Sequence, residues 1–147
     1  ESAFYADIAG VREKLGDRAV LRAIHFFADS RRAGALCSAI REDRFEDFLE
    51  LIVAGGHSSF EYNQNAYSAK NPREQGVSLG LALSQHILEG YGAWRLQGGG
   101  FAGTIQAFVP VHLLEAYRAA MDSVFGEGSC YVLNVRNYGA LCVTEAL

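Results

Sequence analysis

The stretch AWRLQGGGFAGTIQAFV, residues 93–109, is where the apolar pattern changes from a helical spacing to that of strands. Its two ends, residues 93–97 and 104–109, are short, apolar and rich in β-prone side chains, so each end predicts a strand. Four glycines lie between them. Because strands joined by so short a loop pair in opposite directions, the stretch predicts an antiparallel hairpin with a glycine-rich connection.

The glycine-rich connection matches the pattern GxGxxG over residues 98–103. A dinucleotide-binding fingerprint needs a helix to open inside that pattern, whereas a strand follows here, so a Rossmann interpretation is unfavourable. The sequence also lacks the GxxxxGK[ST] motif of a P-loop. Two interpretations stay open: a tight connection that needs glycine for steric reasons alone, or a concave nest of main-chain N–H groups that receives an anion.

Apolar residues recur with helical spacing on both sides of the hairpin. They predict helices that cover residues 4–15, 17–28, 45–53, 78–88 and 110–124, and a continuation of the second helix through Leu36 and Ile40 stays open. Glycines are expected to end these helices, among them Gly16, the pair Gly55 and Gly56, and Gly126. The polar segment 58–75 is long for a connection without structure, which makes it either functional or a misread helix.

A second pair of strands is predicted over residues 130–135 and 140–144, with residues 137–139 as the turn between them. These elements predict an α+β layer fold rather than a doubly wound one. We expect an antiparallel sheet of about four strands, with helices packed on one face and extra N-terminal helices. The length of 147 residues suits a single domain, residues 1–147.

Composition narrows the class of partner. The formal net charge of −4 argues against nucleic acid or an anionic membrane as the main partner, and no apolar run reaches the length of a membrane span. The three cysteines, Cys37, Cys130 and Cys142, form no CxxC pair, so we expect free, mostly buried thiols in a reducing compartment and no metal site. Glu1 is not an initiator methionine and no signal peptide follows it, so we expect a fragment or a processed chain.

Several motifs resemble the galactokinases of the GHMP kinase superfamily. Residues 95–104, RLQGGGFAGT, are similar to the third conserved GHMP motif, usually written GAGFGG and followed by a small residue. Residues 17–25, DRAVLRAIH, resemble the helix of that family that begins RA-x-H. Residues 45–59 resemble its F-x-x-L-M-x-x-S-H-x-S-L stretch, and residues 131–140 its closing hairpin. The likeness follows the chain in order over nearly its whole length, with departures at Ala102 and Thr104.

The resemblance implies the C-terminal, ferredoxin-like domain of an ATP-dependent galactokinase that makes galactose 1-phosphate. In that family a cleft between two domains holds ATP, Mg²⁺ and galactose, and the N-terminal domain carries the phosphate loop and the catalytic acid. None of those motifs occurs here. We therefore expect no catalytic residue and no bound ATP, Mg²⁺ or other metal in this domain alone, an N-terminal domain of the same protein as its partner, and a cytoplasmic location.

The resemblance also implies which residues border the cleft. The glycine loop would lie near phosphate, with the Phe101 side chain packed beneath the glycines; it comprises Gly98, Gly99, Gly100, Phe101, Ala102 and Gly103. The cleft edge would be formed by His57, Ser58 and Ser59, for which an ordinary polar turn is the alternative.

The other polar side chains have simpler interpretations. We expect His25, His86 and His112 to be surface or core histidines, and Arg95 and Arg136 to form salt bridges rather than to bind phosphate.

Two other functions stay open: a non-catalytic sugar-sensing or regulatory protein on the same fold, and an interaction module. A domain that lacks its neighbour should also expose an apolar patch and self-associate.

Overall fold

A computed structural model describes residues 1–101, 103–136 and 138–139 of the chain. Within these residues the protein is α+β and mostly helical, with six α-helices and one small antiparallel sheet. The helices are α1 Ser2–Ala6, α2 Ile8–Leu15, α3 Asp17–Arg41, α4 Phe45–Ser58, α5 Gly76–Leu88 and α6 Leu114–Phe125, and the strands are β1 Ala93–Leu96 and β2 Ile105–Phe108. A π-helical turn, Ser59–Asn63, continues α4, and a 3-10 turn, Val111–Leu113, precedes α6.

The first predicted helix is divided in two. The Asp7 carboxylate accepts the N–H of Gly10 across 3.2 Å and so caps the start of α2. Aspartate at this position satisfies a main-chain donor that has no partner inside the helix. The next helix, α3, begins after Gly16 as predicted and runs through residue 41 as a single element, so the continuation through Leu36 and Ile40 that the sequence left open is present.

The prediction that α4 ends at Gly55 and Gly56 is wrong, because the helix passes through both residues to Ser58. A Cβ on Gly56 would lie 3.0 Å from the carbonyl oxygen of Trp94 and 3.1 Å from the Cβ of Arg95. Glycine therefore lets α4 approach β1 closely, and a close approach needs the small residue inside the helix rather than at its end.

The hairpin predicted from residues 93–109 is confirmed. Strands β1 and β2 pair antiparallel, with Ala93 opposite Phe108 and Leu96 opposite Ile105. The second pair of strands is not seen in the part of the chain that the structure describes: residues 130–135 form no strand there, and residues 137 and 140–144 lie outside it. The four-stranded ferredoxin-like sheet therefore stays a prediction.

Helices cover both faces of the hairpin, whereas the sequence predicted helices on one face. Successive side chains of a strand point to opposite faces. On one face, Trp94 packs in a buried cluster with Leu88, Tyr117 and Met121 of α5 and α6. On the other face, the ring of Phe108 meets the ring of Phe48 of α4 edge to face, with 5.3 Å between centroids. The correction follows from the long α3–α4 pair, which supplies a second layer.

The second core cluster lies beneath the glycine loop. Leu96, at the end of β1, is 2% exposed and packs with Ala66 and Val77. Ile105, at the start of β2, packs against the same cluster. Both ends of the loop are therefore fixed in the core, while the loop itself lies at the surface. No helix of the described ranges is both long and apolar enough to cross a membrane.

Candidate functional site

The loop 97–104 between β1 and β2 has a backbone that glycine favours. Gly98, Gly100 and Gly103 have φ of 74°, 71° and 82°. Phe101 has φ of 58°, a conformation that is unusual for a bulky residue and carries local strain. Four residues in the left-handed region within six positions explain why this connection is rich in glycine. Ala102, which belongs to the same predicted set, lies outside the described residues.

The loop has an open side and an anchored side. A Cβ built on Gly98, Gly99 or Gly103 would meet no other described residue within 4 Å. A Cβ on Gly100 would lie 2.8 Å from both Cγ and Nδ2 of Asn65, and it would also collide with the Asn65 carbonyl oxygen. The loop therefore rests on Asn65, and its other side is open among the residues that the structure describes.

Asn65 is the residue that the sequence analysis did not identify. Its carbonyl oxygen accepts the main-chain N–H of Phe101 across 3.0 Å. Its side chain is 2% exposed, and its Oδ1 accepts the hydroxyl of Ser59 across 2.9 Å. The one signal for it was the unexplained length of the polar segment 58–75. Asn65 thus joins Ser59, a predicted cleft-edge residue, to the glycine loop.

The three predicted cleft-edge residues have different environments. His57 is exposed, whereas Ser58 and Ser59 are 6% and 4% exposed. They lie at the end of α4 and the start of the π-helical turn, so they do not form an ordinary polar turn. The structure brings Ser59 to the glycine loop through Asn65, and it brings Ser58 to His25 instead.

His25 of α3 is part of a polar contact with α4. Its Nδ1 and the Ser58 Oγ lie 2.9 Å apart in a hydrogen bond. Burial lowers the pKa of His25 below its usual range, the charges of Arg32 and Arg95 lower it further, and Asp29 opposes the shift. His25 is therefore mainly neutral near neutral pH, which is the state of a structural histidine in this contact.

Arg95 forms the salt bridge expected of it. Its Nη2 lies 3.7 Å from Oδ2 of Asp29, and Arg32 Nη1 lies 2.5 Å from Oδ1 of the same carboxylate. Arg136 instead lies over the ring of Tyr138, 5.1 Å from its centroid, in a cation–π contact. Of the remaining histidines, both exposed, His112 meets the ring of Tyr91 edge to face and His86 lies on α5.

A groove of about 900 Å³ begins at the glycine loop and runs along α5 and α6. Phe101 lines its rim and is 53% exposed, so the side chain does not pack beneath the glycines as predicted. The floor includes Ile105 and Tyr117, and residues 129–134 contribute to another wall. Because most of this lining is apolar, the groove suits an apolar surface better than a free sugar.

Tyr117 and Cys130 are titratable groups of the groove whose pKa values are shifted. Burial raises the pKa of the Tyr117 hydroxyl above its usual range, while its hydrogen bond with Ser84 opposes the shift. Burial also raises the pKa of the Cys130 thiol, which Asp122 raises further and Arg118 lowers. Both shifts favour the neutral form, so neither group is an activated nucleophile or base.

The cysteines and the side chains able to bind metal are further candidates for a reactive site among the described residues. Cys37 and Cys130 are free thiols, and Cys37 is exposed rather than buried as expected, whereas Cys142 lies outside the described residues. Among residues 1–101, 103–136 and 138–139, no group of three or more His, Cys, Asp or Glu side chains is arranged to hold a metal ion.

Comparison with known proteins gives no relative. No protein-family model, no curated protein and no solved structure matches the chain. The features that bear on function are therefore the motifs of the sequence and the geometry of the glycine loop and its contact with Asn65.

Proposed function

We propose that residues 1–147 form the C-terminal domain of an ATP-dependent galactokinase of the GHMP type. In this proposal the domain transfers no phosphate by itself. Its glycine loop completes a cleft in which the parent enzyme converts galactose to galactose 1-phosphate. The proposal is supported by the ordered sequence likeness over residues 17–25, 45–59, 95–104 and 131–140.

The observation that carries the proposal is the two-sided character of the loop. Its inner side is tied to Asn65 by the Phe101 N–H, and its outer side, at Gly98 and Gly99, is open among the described residues. Phosphoryl transfer depends chiefly on positioning and on stabilisation of charge, so a rigid loop with accessible main-chain groups contributes without donating a proton.

The partners in this proposal follow from what the domain lacks. The phosphate loop and the catalytic acid belong to an N-terminal domain of the same protein, which also holds ATP, Mg²⁺ and most contacts to galactose. The glycine loop and the cleft-edge side chain His57, which is exposed, face that domain. The free thiols Cys37 and Cys130 fit a cytoplasmic enzyme.

The test uses the intact gene product that contains residues 1–147. We expect ATP-dependent formation of galactose 1-phosphate by that protein, and no turnover by residues 1–147 alone under the same conditions. Absence of phosphate transfer to galactose by the intact protein overturns the galactokinase assignment. Binding of galactose and ATP without transfer would instead indicate the sugar-sensing alternative.

A further inference from the structure

We infer that Asn65 is a positioning residue that sets the conformation of the glycine loop, although it lies outside every motif of the sequence. The effect on catalysis rests on the proposed function, whereas the effect on the loop does not. Two groups of contacts support this assignment: those between Asn65 and the loop, and those that hold Asn65 itself.

On the loop side, Asn65 makes one hydrogen bond and one close packing contact. The bond joins its carbonyl oxygen to the N–H of Phe101. The packing contact is with Gly100, where the Asn65 carbonyl and amide groups occupy the space that any side chain would need. The two contacts fix consecutive residues of the loop, and they hold Phe101 at φ of 58° with its ring on the rim of the groove.

On the other side, Asn65 is held by the π-helical turn Ser59–Asn63. The Ser59 hydroxyl donates to Asn65 Oδ1, and Gln64, which precedes Asn65, adopts the left-handed conformation with φ of 55° and ψ of 47°. The N–H of Gln64 donates to the Ser59 carbonyl across 2.9 Å. π-helical turns are rare and occur often at functional sites.

Two arginines of α3 tie the end of this turn to the helical layer. Arg22 Nε donates to the carbonyl of Asn63 across 3.1 Å, and Arg18 Nη2 donates to the carbonyl of Gln64 across 3.4 Å. Both donors are charged, but both bonds are exposed and screened by solvent, so each makes a modest contribution to holding this backbone. Contacts with α3 and with the end of α4 therefore hold Asn65 in place. Asn65 in turn contacts the loop at Gly100 and Phe101.

The buried amide group of Asn65 is also unfavourable for the stability of the fold. Its Nδ2 is buried and has no hydrogen-bond partner among the described residues. An unpaired buried donor is unfavourable, and so is the left-handed backbone of Phe101. Costs of this kind, concentrated at one contact, are typical of a site where geometry is retained for function.

The first experiment measures the loop without reference to catalysis. Hydrogen exchange of the peptide that covers residues 97–104 is followed by mass spectrometry in the intact protein. We expect faster exchange in Gly100→Ala, which collides with Asn65, and in Asn65→Ala, which releases the Ser59 bond. Gly98→Ala, with a similar φ of 74° but no other described residue within 4 Å of the new Cβ, is the control for backbone strain and should speed exchange less than Gly100→Ala does. Unchanged exchange in Asn65→Ala, or equal changes in Gly100→Ala and Gly98→Ala, overturns the inference.

The second experiment separates positioning from folding. In the intact enzyme, we expect Gly100→Ala and Asn65→Ala to lower kcat and raise the KM for ATP, with a loss of about 10²-fold in kcat/KM, since small misplacements near phosphate have effects of that size. The KM for galactose should change little. Gly34→Ala, on the open face of α3, is the control for unspecific effects. An equal loss for both substrates, or a loss explained by a lower unfolding midpoint, contradicts a positioning role.

The two experiments can fail separately. If the intact wild-type protein transfers no phosphate to galactose but the exchange differences are found, the proposed function is wrong and the role of Asn65 in the loop stands. If the enzyme is active and exchange does not respond to Asn65 or Gly100, the proposed function stands and this inference is wrong.

Discussion

The hydroxyls of Ser84 and Tyr117 lie 2.8 Å apart in the core, where they join α5 to α6. The Ser84 hydroxyl also donates to the carbonyl of Gly80 across 2.8 Å. Because a serine hydroxyl has one proton, Tyr117 must be the donor in the contact between the two side chains. The two hydroxyls are therefore unequal, since Ser84 keeps a partner without Tyr117 while Tyr117 has no second one in the described contacts.

This inequality predicts that Ser84→Ala destabilises the protein more than Tyr117→Phe does. Ser84→Ala leaves a buried tyrosine hydroxyl without its acceptor, at about 1–3 kcal/mol, whereas Tyr117→Phe removes one hydrogen bond, at about 1 kcal/mol. Urea unfolding of the two variants and of the double variant gives the comparison. A larger loss for Tyr117→Phe would show that the donor direction is reversed.

The lowered pKa of His25 predicts a loss of stability in acid. The unfolded chain binds the proton near the usual pKa of 6.5, whereas the folded chain binds it only at lower pH. The part of the stability that depends on neutral His25 should therefore be fully present above about pH 6.5. The free energy of unfolding should fall as the pH decreases from that value through the lower pKa of the folded state. Urea unfolding at a series of pH values measures this dependence.

Two variants isolate the histidine in that experiment. His25→Asn removes the titrating group and offers a polar atom near the position of Nδ1, so the acid loss should become smaller. Ser58→Ala removes the same 2.9 Å hydrogen bond but keeps the imidazole, so the acid loss should persist. If His25→Asn has the same pH dependence as the wild type, other groups cause the loss.

The elements that the sequence predicted well are those with a strong period and a buried face. α5, α6 and the β1–β2 hairpin follow from apolar spacing because their apolar side chains pack in the core clusters, and α3 follows from a pattern that buries Val20 and Ala39. The hairpin needed nothing beyond the two strands and the glycines between them. Local information was sufficient where the same residues decide both the element and its burial.

The errors arise where a residue's role depends on what lies opposite it. Gly56 resembles a helix end in sequence, and only the carbonyl of Trp94 beside it shows why a glycine lies inside the helix. The helices on both faces of the hairpin follow from the packing of α4 against β1, which no local pattern records. In the site, the glycines were found from their spacing, but Asn65 was not, because its contact with Phe101 joins distant parts of the chain.

The close packing of α4 on β1 predicts opposite effects for two glycine substitutions in helices. Gly56→Ala should lower stability by about 1–3 kcal/mol, because its Cβ would press on Trp94 and Arg95 and force the helix outward. Gly34→Ala, in α3 with no described residue within 4 Å of the new Cβ, should raise stability by roughly 0.5–1 kcal/mol. Thermal or urea unfolding of both variants measures the two changes in the free energy of unfolding. Stabilisation by Gly56→Ala would contradict the close contact.

An aromatic patch on α1 and α3 predicts that residues 1–147 self-associate when they are separated from a partner domain. Phe26 is 64% exposed and packs edge to face on Phe27, which also contacts Phe4 and Tyr5. Clustered exposed aromatic rings are typical of an interface. We expect Phe26→Asp to shift sedimentation velocity profiles toward the monomer. Tyr91→Asp is the control, since Tyr91 is 63% exposed and lies outside the patch. A wild-type monomer at every concentration, or equal dissociation by both variants, would show that the patch is not the interface.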